Sequence, residues 1–223
     1  MIPTSDRTLR LALGAGIAVP FLYFGAQLAA APFYPGYSFL THDASTLGSD
    51  GSTMPWILNT GAALSGVAMI VASLGYVGAL RPLGSHRVAA WLTALALIGG
   101  GIGSVNAGLH PLPDPRHASG PAASVGAALF FLPVLLLWAF WSVRDGRRIR
   151  IYLAWNLAGM LALVPVMSGM LQRCAMVAGV AIPVLQTLLN SYHGVLQRIA
   201  AVIVFVPIGV CAAFLARRGP RRA

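Results

Sequence analysis

The feature that most limits what this chain can fold into is a succession of six apolar stretches, at about 9–32, 54–80, 88–109, 121–142, 151–171 and 194–216. A helix needs about 20 mostly apolar residues to cross the hydrocarbon core of a bilayer, and each stretch meets that length. Charged residues make up 9% of the chain, against about 25% in a soluble domain. So few charges cannot cover a water-facing surface, which excludes a soluble globular protein. The chain is therefore read as an all-α polytopic membrane helix bundle, one integral domain over residues 1–223 with six transmembrane helices.

The loops set the orientation. The chain has no Lys and no Glu, so every basic residue is Arg. Twelve of them (7, 10, 81, 87, 144, 147, 148, 150, 217, 218, 221 and 222) fall on one side of the six spans. Arg116, Arg173 and Arg198 fall on the other. The positive-inside rule makes the twelve-Arg side cytoplasmic, with both termini in. The same rule accounts for the net charge of +10, so no nucleic-acid partner is implied. The lack of Lys and Glu fits a GC-rich bacterial genome and hence a bacterial inner (plasma) membrane. A cleaved signal peptide is the rival reading of the first span, but its apolar part exceeds the usual 7–15 residues.

Between the spans, residues 32–53 form a loop too long for a mere turn, and it is expected to fold back over the bundle. Tyr34 and Tyr37 suit the headgroup layer, and Asp43 is placed to cap a short helix. Ser119, Gly120 and Pro121 read as a capped helix start. Gly99 and Gly103, Gly100 and Ser104, and Ser104 and Gly108 are each four apart, the spacing that lets helix backbones approach closely. A glycine-rich phosphate loop would need a preceding strand, which is absent. Residues 174–190 alternate apolar and polar faces at helical spacing. A seventh span there would put the Arg-rich tail outside, so an interfacial or re-entrant helix is preferred. Cys174 and Cys211 lie about 27 Å apart by helical rise, too far for a disulfide.

This topology collects the unusual polar residues on the outer side. The first loop brings His42 and Asp43, and the second span brings Asn59. The third span and the turn after it bring Asn106, His110, Asp114, Arg116 and His117. The last helix brings His193, Gln197 and Arg198. Asn106 and His110 share a helix face, as do His193 and Gln197. Arg198 lies about 9 Å into its helix, where a cation must snorkel or be paired. Asp43 and Asp114 are the candidate partners. Three readings remain open. His110, Asp114 and His117 are candidates for acid/base catalysis on a lipid or lipid-linked substrate. In that site His42, Asp43, Asn59, Asn106, His193, Gln197 and Arg198 bind, Arg198 holding a phosphate. A zinc site from His42, His110, His117 and Asp114 lacks recognised metal spacing, so no metal and no cofactor are expected; haem fits poorly, as no His lies mid-span. The last reading is a non-catalytic scaffold or regulator with a membrane-protein partner.

The residues also carry a resemblance. Tyr34-Pro-Gly-Tyr37 followed by His42-Asp-Ala-Ser45, Asn59-Thr-Gly61, the His110-Pro111…Asp114…His117 turn, and Gly194-Val-Leu-Gln-Arg198 resemble the bacterial domain of unknown function 998 family. More distantly the layout is similar to the Frag1/DRAM/Sfk1 group of membrane proteins. The nearer resemblance implies a six-span membrane protein and supplies no catalytic residue. The looser one implies a role among membrane lipids. The reading is thus an integral membrane protein of unknown activity that interacts with lipids.

Overall fold

A computed structural model describes residues 6–117, 119–167, 187 and 191–218. Among these every regular element is helical. The long helices are α1 (Asp6–Ala30), α2 (Trp56–Leu80), α3 (Arg87–Leu109), α4 (Pro121–Gly126), α5 (Leu132–Trp141), α6 (Arg147–Met167) and α7 (His193–Arg217). Helices α4 and α5 are joined by a 3-10 segment, Ala127–Phe131, and share one crossing. Six crossings are therefore long and apolar enough to span a membrane, and the chain is a multi-pass membrane protein. The interfacial helix expected at 174–190, with Arg173 and Cys174, lies outside the described residues apart from Thr187.

The crossings close into a ring. Helix α2 packs between α1 and α3, α3 meets α4 and α5, α5 meets α6, and α6 meets α7, which returns to α1. Helix α7 also touches α2 and α5. Lipid offers no hydrophobic drive between helices, so close backbone approach and interhelical hydrogen bonds must hold them. Both are present. The small residues of α3 serve two faces. A Cβ on Gly103 would stand 2.6 Å from Gly126 Cα, and one on Gly99 2.7 Å from the Val125 carbonyl oxygen, so this face receives α4. On the other face Gly101 meets Gly66, Gly108 meets the Asn59 carbonyl, and Ser104 Oγ donates to the Ala62 carbonyl at 2.8 Å, so it receives α2. The phenol of fully buried Tyr76 donates to the Ile208 carbonyl at 2.6 Å and ties α2 to α7.

The fourth crossing departs from the continuous helix expected at 121–142. Pro133 has no N–H to offer the Leu129 carbonyl, four residues back, and its ring crowds that turn. The chain tightens to 3-10 geometry just before it. Two expected caps also fail. Asp43 precedes a 3-10 helix, Ala44–Gly48, in extended conformation but makes no capping bond, because its carboxylate is turned to His193. Gly120, with φ 89°, precedes α4, while Ser119 Oγ bonds the Pro115 carbonyl. Pro121 does occupy the first turn.

The long first loop folds back as expected. Leu47 is fully buried and joins Ala30 and Leu58, with Tyr34, Tyr37 and Ile57 packed around them. Gly36, at φ 71°, makes the reversal that a side chain would strain. Thr53 N–H donates to the Phe33 carbonyl at 2.9 Å and closes the loop at its base.

Candidate functional site

The polar residues at the loop-bearing end of the bundle assemble as three neighbouring arrangements instead of one. The first is a clamp around Arg198. Its Nη1 donates to the carbonyls of Phe39 (3.0 Å), His42 (2.9 Å) and, within its own helix, Gly194 (2.8 Å). Its Nη2 donates to the Tyr37 hydroxyl, and the guanidinium lies 4.8 Å from the Phe39 ring centroid. Gly194 makes room, since a Cβ there would stand 2.5 Å from the His42 carbonyl oxygen. Burial pushes the Tyr37 phenol above its ordinary value, against the pull of the Arg198 charge.

Neither expected carboxylate partners Arg198. Asp43 Oδ1 lies 2.7 Å from His193 Nδ1, and Asp114 is held by Arg116. The physical reason is the fork of donors on a guanidinium, which matches a row of loop carbonyls as well as it matches a carboxylate. Beside the clamp, Gln197 Oε1 accepts the Ala44 N–H at 2.7 Å. His193 and Gln197 do face together, and each grips one residue of the loop. His42 closes the loop on itself, its Nδ1 accepting Ser38 N–H at 3.1 Å.

The second arrangement is the turn after α3. Arg116 Nε and Nη2 hold the Asp114 carboxylate at 2.6–3.1 Å, and the Arg116 backbone N–H adds a bond of 2.9 Å. These bonds lower the Asp114 carboxyl to about 2. His110 Nδ1 stands 3.5 Å from the same carboxylate. Asn106 Nδ2 donates to the Arg116 carbonyl at 2.7 Å, which ties the turn back to α3. His117 Nδ1 lies 2.9 Å from the His110 carbonyl. A carbonyl only accepts, so Nδ1 carries a proton and donates to it.

The third is a cleft of about 520 Å³ between α1, α2, α3, the α4–α5 crossing and α7, a size usual for a small-molecule site. Tyr23, Ser45, Asn59, Ser104, His117 and Gln197 supply its polar lining. Leu58, Leu129, Phe130 and Phe205 supply apolar walls. The exposed Ala127 and Phe130 border it, so it reaches the outer face of the ring. Asn59 is fixed by donating Nδ2 to the Gly48 carbonyl at 3.1 Å. Tyr23 is fixed by stacking on Phe205 at 4.0 Å. Among the described residues no carboxylate and no arginine lines the cleft.

Of the candidate residues, the cleft brings together Asn59, His117 and Gln197. His110, Asp114 and Asn106 build the turn beside it, and His42, Asp43, His193 and Arg198 build the clamp. Among the described residues no three of His, Cys, Asp and Glu group as a metal ion would require. Tyr23, Ser45 and Ser104 were not among the candidates. Ser104 carries a packing signal in the sequence. Tyr23 is a polar-tipped aromatic inside a span, which is the signal that points to it.

No curated protein and no solved structure matches the chain. The family model described as "Protein of unknown function (DUF998)" matches residues 17–214, a stretch that holds all three arrangements. Six apolar crossings and that match agree with the motifs around Tyr34, Asn59, His110 and Arg198, and the chain belongs to the DUF998 family.

Proposed function

We propose that this is a lipid-interacting protein of a bacterial inner membrane, with cytoplasmic termini, whose cleft takes the uncharged polar part of an amphiphile. The observation that carries the reading is the composition of the cleft. Hydrogen-bonding groups from Asn59, His117, Gln197 and Ser104 stand beside aliphatic and aromatic walls that reach the exposed outer face of the ring, with no carboxylate or guanidinium among the described lining residues. A phosphate would call for a guanidinium, and that of Arg198 is taken up by loop carbonyls. Hydroxyl or amide groups fit the donors and acceptors present. Of the acid/base candidates His117 alone lines the cleft, with the Tyr23 phenol, a weak acid, as the other titratable group of the described lining; His110 and Asp114 are held in the turn. A binding role asks only for the hydrogen bonds on offer.

Orientation rests on the twelve arginines that the sequence puts on one side of the spans, and reporter fusions at either terminus test it. The cleft is tested by lipid extraction and mass spectrometry of the full chain purified in mild detergent. One lipid with an uncharged headgroup is expected per chain. Ala107→Trp fills the cleft and should abolish retention, and His117→Ala should reduce it while leaving the protein monodisperse. Retention of the same lipid by a folded Ala107→Trp variant would overturn the reading.

A further inference from the structure

At the arginine-rich end of the ring a second recess opens between α6 and α7. It encloses about 1090 Å³ and is bordered by Arg147, Arg148, Arg217 and Arg218 with one acid, Asp145. Below the charges the walls are Ile151, Tyr152, Val210 and Phe214. We infer that this groove binds an anionic phospholipid of the surrounding bilayer, its headgroup among the arginines and its acyl chains along α6 and α7.

The charge is unspent. Arg218 is occupied: it donates to the Arg144 carbonyl at 2.8 Å, pairs with Asp145 at 3.5 Å and lies 4.6 Å over the Phe214 ring. That pair neutralises the one acid. Arg147, Arg148 and Arg217 are exposed and make no hydrogen bond or ion pair with another described residue. Three free cations therefore face one recess. Two of them, Arg147 and Arg148, open α6, where the helix dipole opposes positive charge and favours an anion. Their placement runs against local stability, and a bound phosphate relieves it. The apolar walls select the source of that phosphate. Ile151 and Val210 are exposed on the lipid-facing sides of their helices, so the groove continues from the charged rim toward the hydrocarbon. A basic recess between two spans on the cytoplasmic side is the setting in which anionic headgroups are held.

The groove and the neutral cleft lie at opposite ends of the ring and differ in charge, so either assignment can fail without the other. The test uses the full chain in detergent micelles, titrated with phosphatidylglycerol or with phosphatidylcholine of the same acyl chains and read by native mass spectrometry. Wild type should retain phosphatidylglycerol at least about tenfold better. The R147Q/R148Q/R217Q variant should bring the two lipids within about twofold. It keeps nine of the twelve arginines of that end, so its orientation should hold. R81Q/R87Q removes charge from the same end but not from the groove, and should keep the preference. Val210→Trp obstructs the groove without changing charge, and should lower phosphatidylglycerol retention. Equal retention of both lipids by wild type would overturn the inference. So would equal losses in the triple and R81Q/R87Q variants, which would mean that net charge alone attracts the lipid. If the triple variant does not fold, Val210→Trp decides, and undiminished phosphatidylglycerol binding there overturns the site.

Discussion

Replacing Arg198 by Met keeps a flexible, unbranched apolar stem, two atoms shorter than Arg, and removes the donors. Three bonds between α7 and the first loop disappear: those to the Phe39 carbonyl, the His42 carbonyl and the Tyr37 hydroxyl. Hydrogen bonds to a charged group contribute about 1.5–3 kcal/mol each, which gives a gross loss of roughly 4.5–9 kcal/mol. Two effects reduce it. Phe39 is exposed, so water replaces one donor. Arg198 Nε is buried without a hydrogen-bond partner, so the wild type already carries a desolvation cost that Met removes. The net loss should be about 2–4 kcal/mol. At roughly 2–4 °C per kcal/mol, the thermal midpoint in micelles should fall by about 4–16 °C. Arg198→Lys keeps the charge but not the planar fork, and should lose about half as much. Tyr37→Phe combined with Arg198→Met should cost less than the sum of the two, since they share one bond. If Arg198 only snorkels to lipid phosphates, Arg198→Lys melts with the wild type and the double variant is additive. That pair of results would refute the clamp.

Gly103→Ala places a Cβ 2.6 Å from the Gly126 backbone, which cannot yield as a flexible side chain would, and should lower stability by about 1–3 kcal/mol. Gly14→Ala meets nothing within 4 Å and should be neutral or stabilising by up to about 1 kcal/mol; thermal midpoints of the two variants decide. The Asp114 carboxyl is held below its ordinary 3.8, at about 2, first by the Arg116 side-chain bonds and then by the Arg116 N–H. A depressed carboxylate helps the folded turn above its ordinary value and stops helping as the pH falls through the folded one. The contribution of the Asp114 carboxylate to the turn should therefore be constant from pH 7 down to about 4 and should be lost toward about 2. The carboxyl carbon shift of Asp114 follows this titration, and Arg116→Ala should return its midpoint toward 3.8. Cys211 is a fully buried free thiol, so in a Cys174→Ser background it should resist maleimide until the protein is denatured.

The crossings were legible because lipid imposes a length and an apolar composition that no internal contact relaxes. The interfaces were legible in part for a similar reason. Small residues four apart on α3 must meet something close, and Gly99, Gly103 and Ser104 do. Which neighbour each meets depends on crossing geometry, so the division of α3 into an α4 face and an α2 face could not be read from spacing. The break in the fourth crossing was present in Pro133 but is felt at Leu129, four residues before it. The expectation that the polar residues share one side of the spans followed from topology alone. Their pairing did not, because short-range partners compete with distant ones. Asp114 has Arg116 two residues away and never reaches Arg198. Apart from the Tyr37 hydroxyl, the partners of Arg198 are backbone carbonyls, which every residue carries and no sequence marks.

That competition explains why neither Arg116 nor Arg198 lines the cleft. An arginine at the end of a membrane bundle must be satisfied where it stands, by a carboxylate, by carbonyls or by lipid phosphates. Arg116 is satisfied by Asp114, and Arg198 by the folded-back loop. Each is bound in the structure that walls the cleft, so neither projects into it. The loop that occupies Arg198 also supplies Ser45 to the cleft lining and the Gly48 carbonyl that fixes Asn59. Loss of the clamp and loss of the cleft are thus linked. On the proposed function, Arg198→Met should abolish lipid retention beside Asn59 even though Arg198 does not line that space, whereas Arg116→Ala, which loosens the turn that carries His117, should leave Asn59 and Gln197 in place and lower retention no further than His117→Ala does.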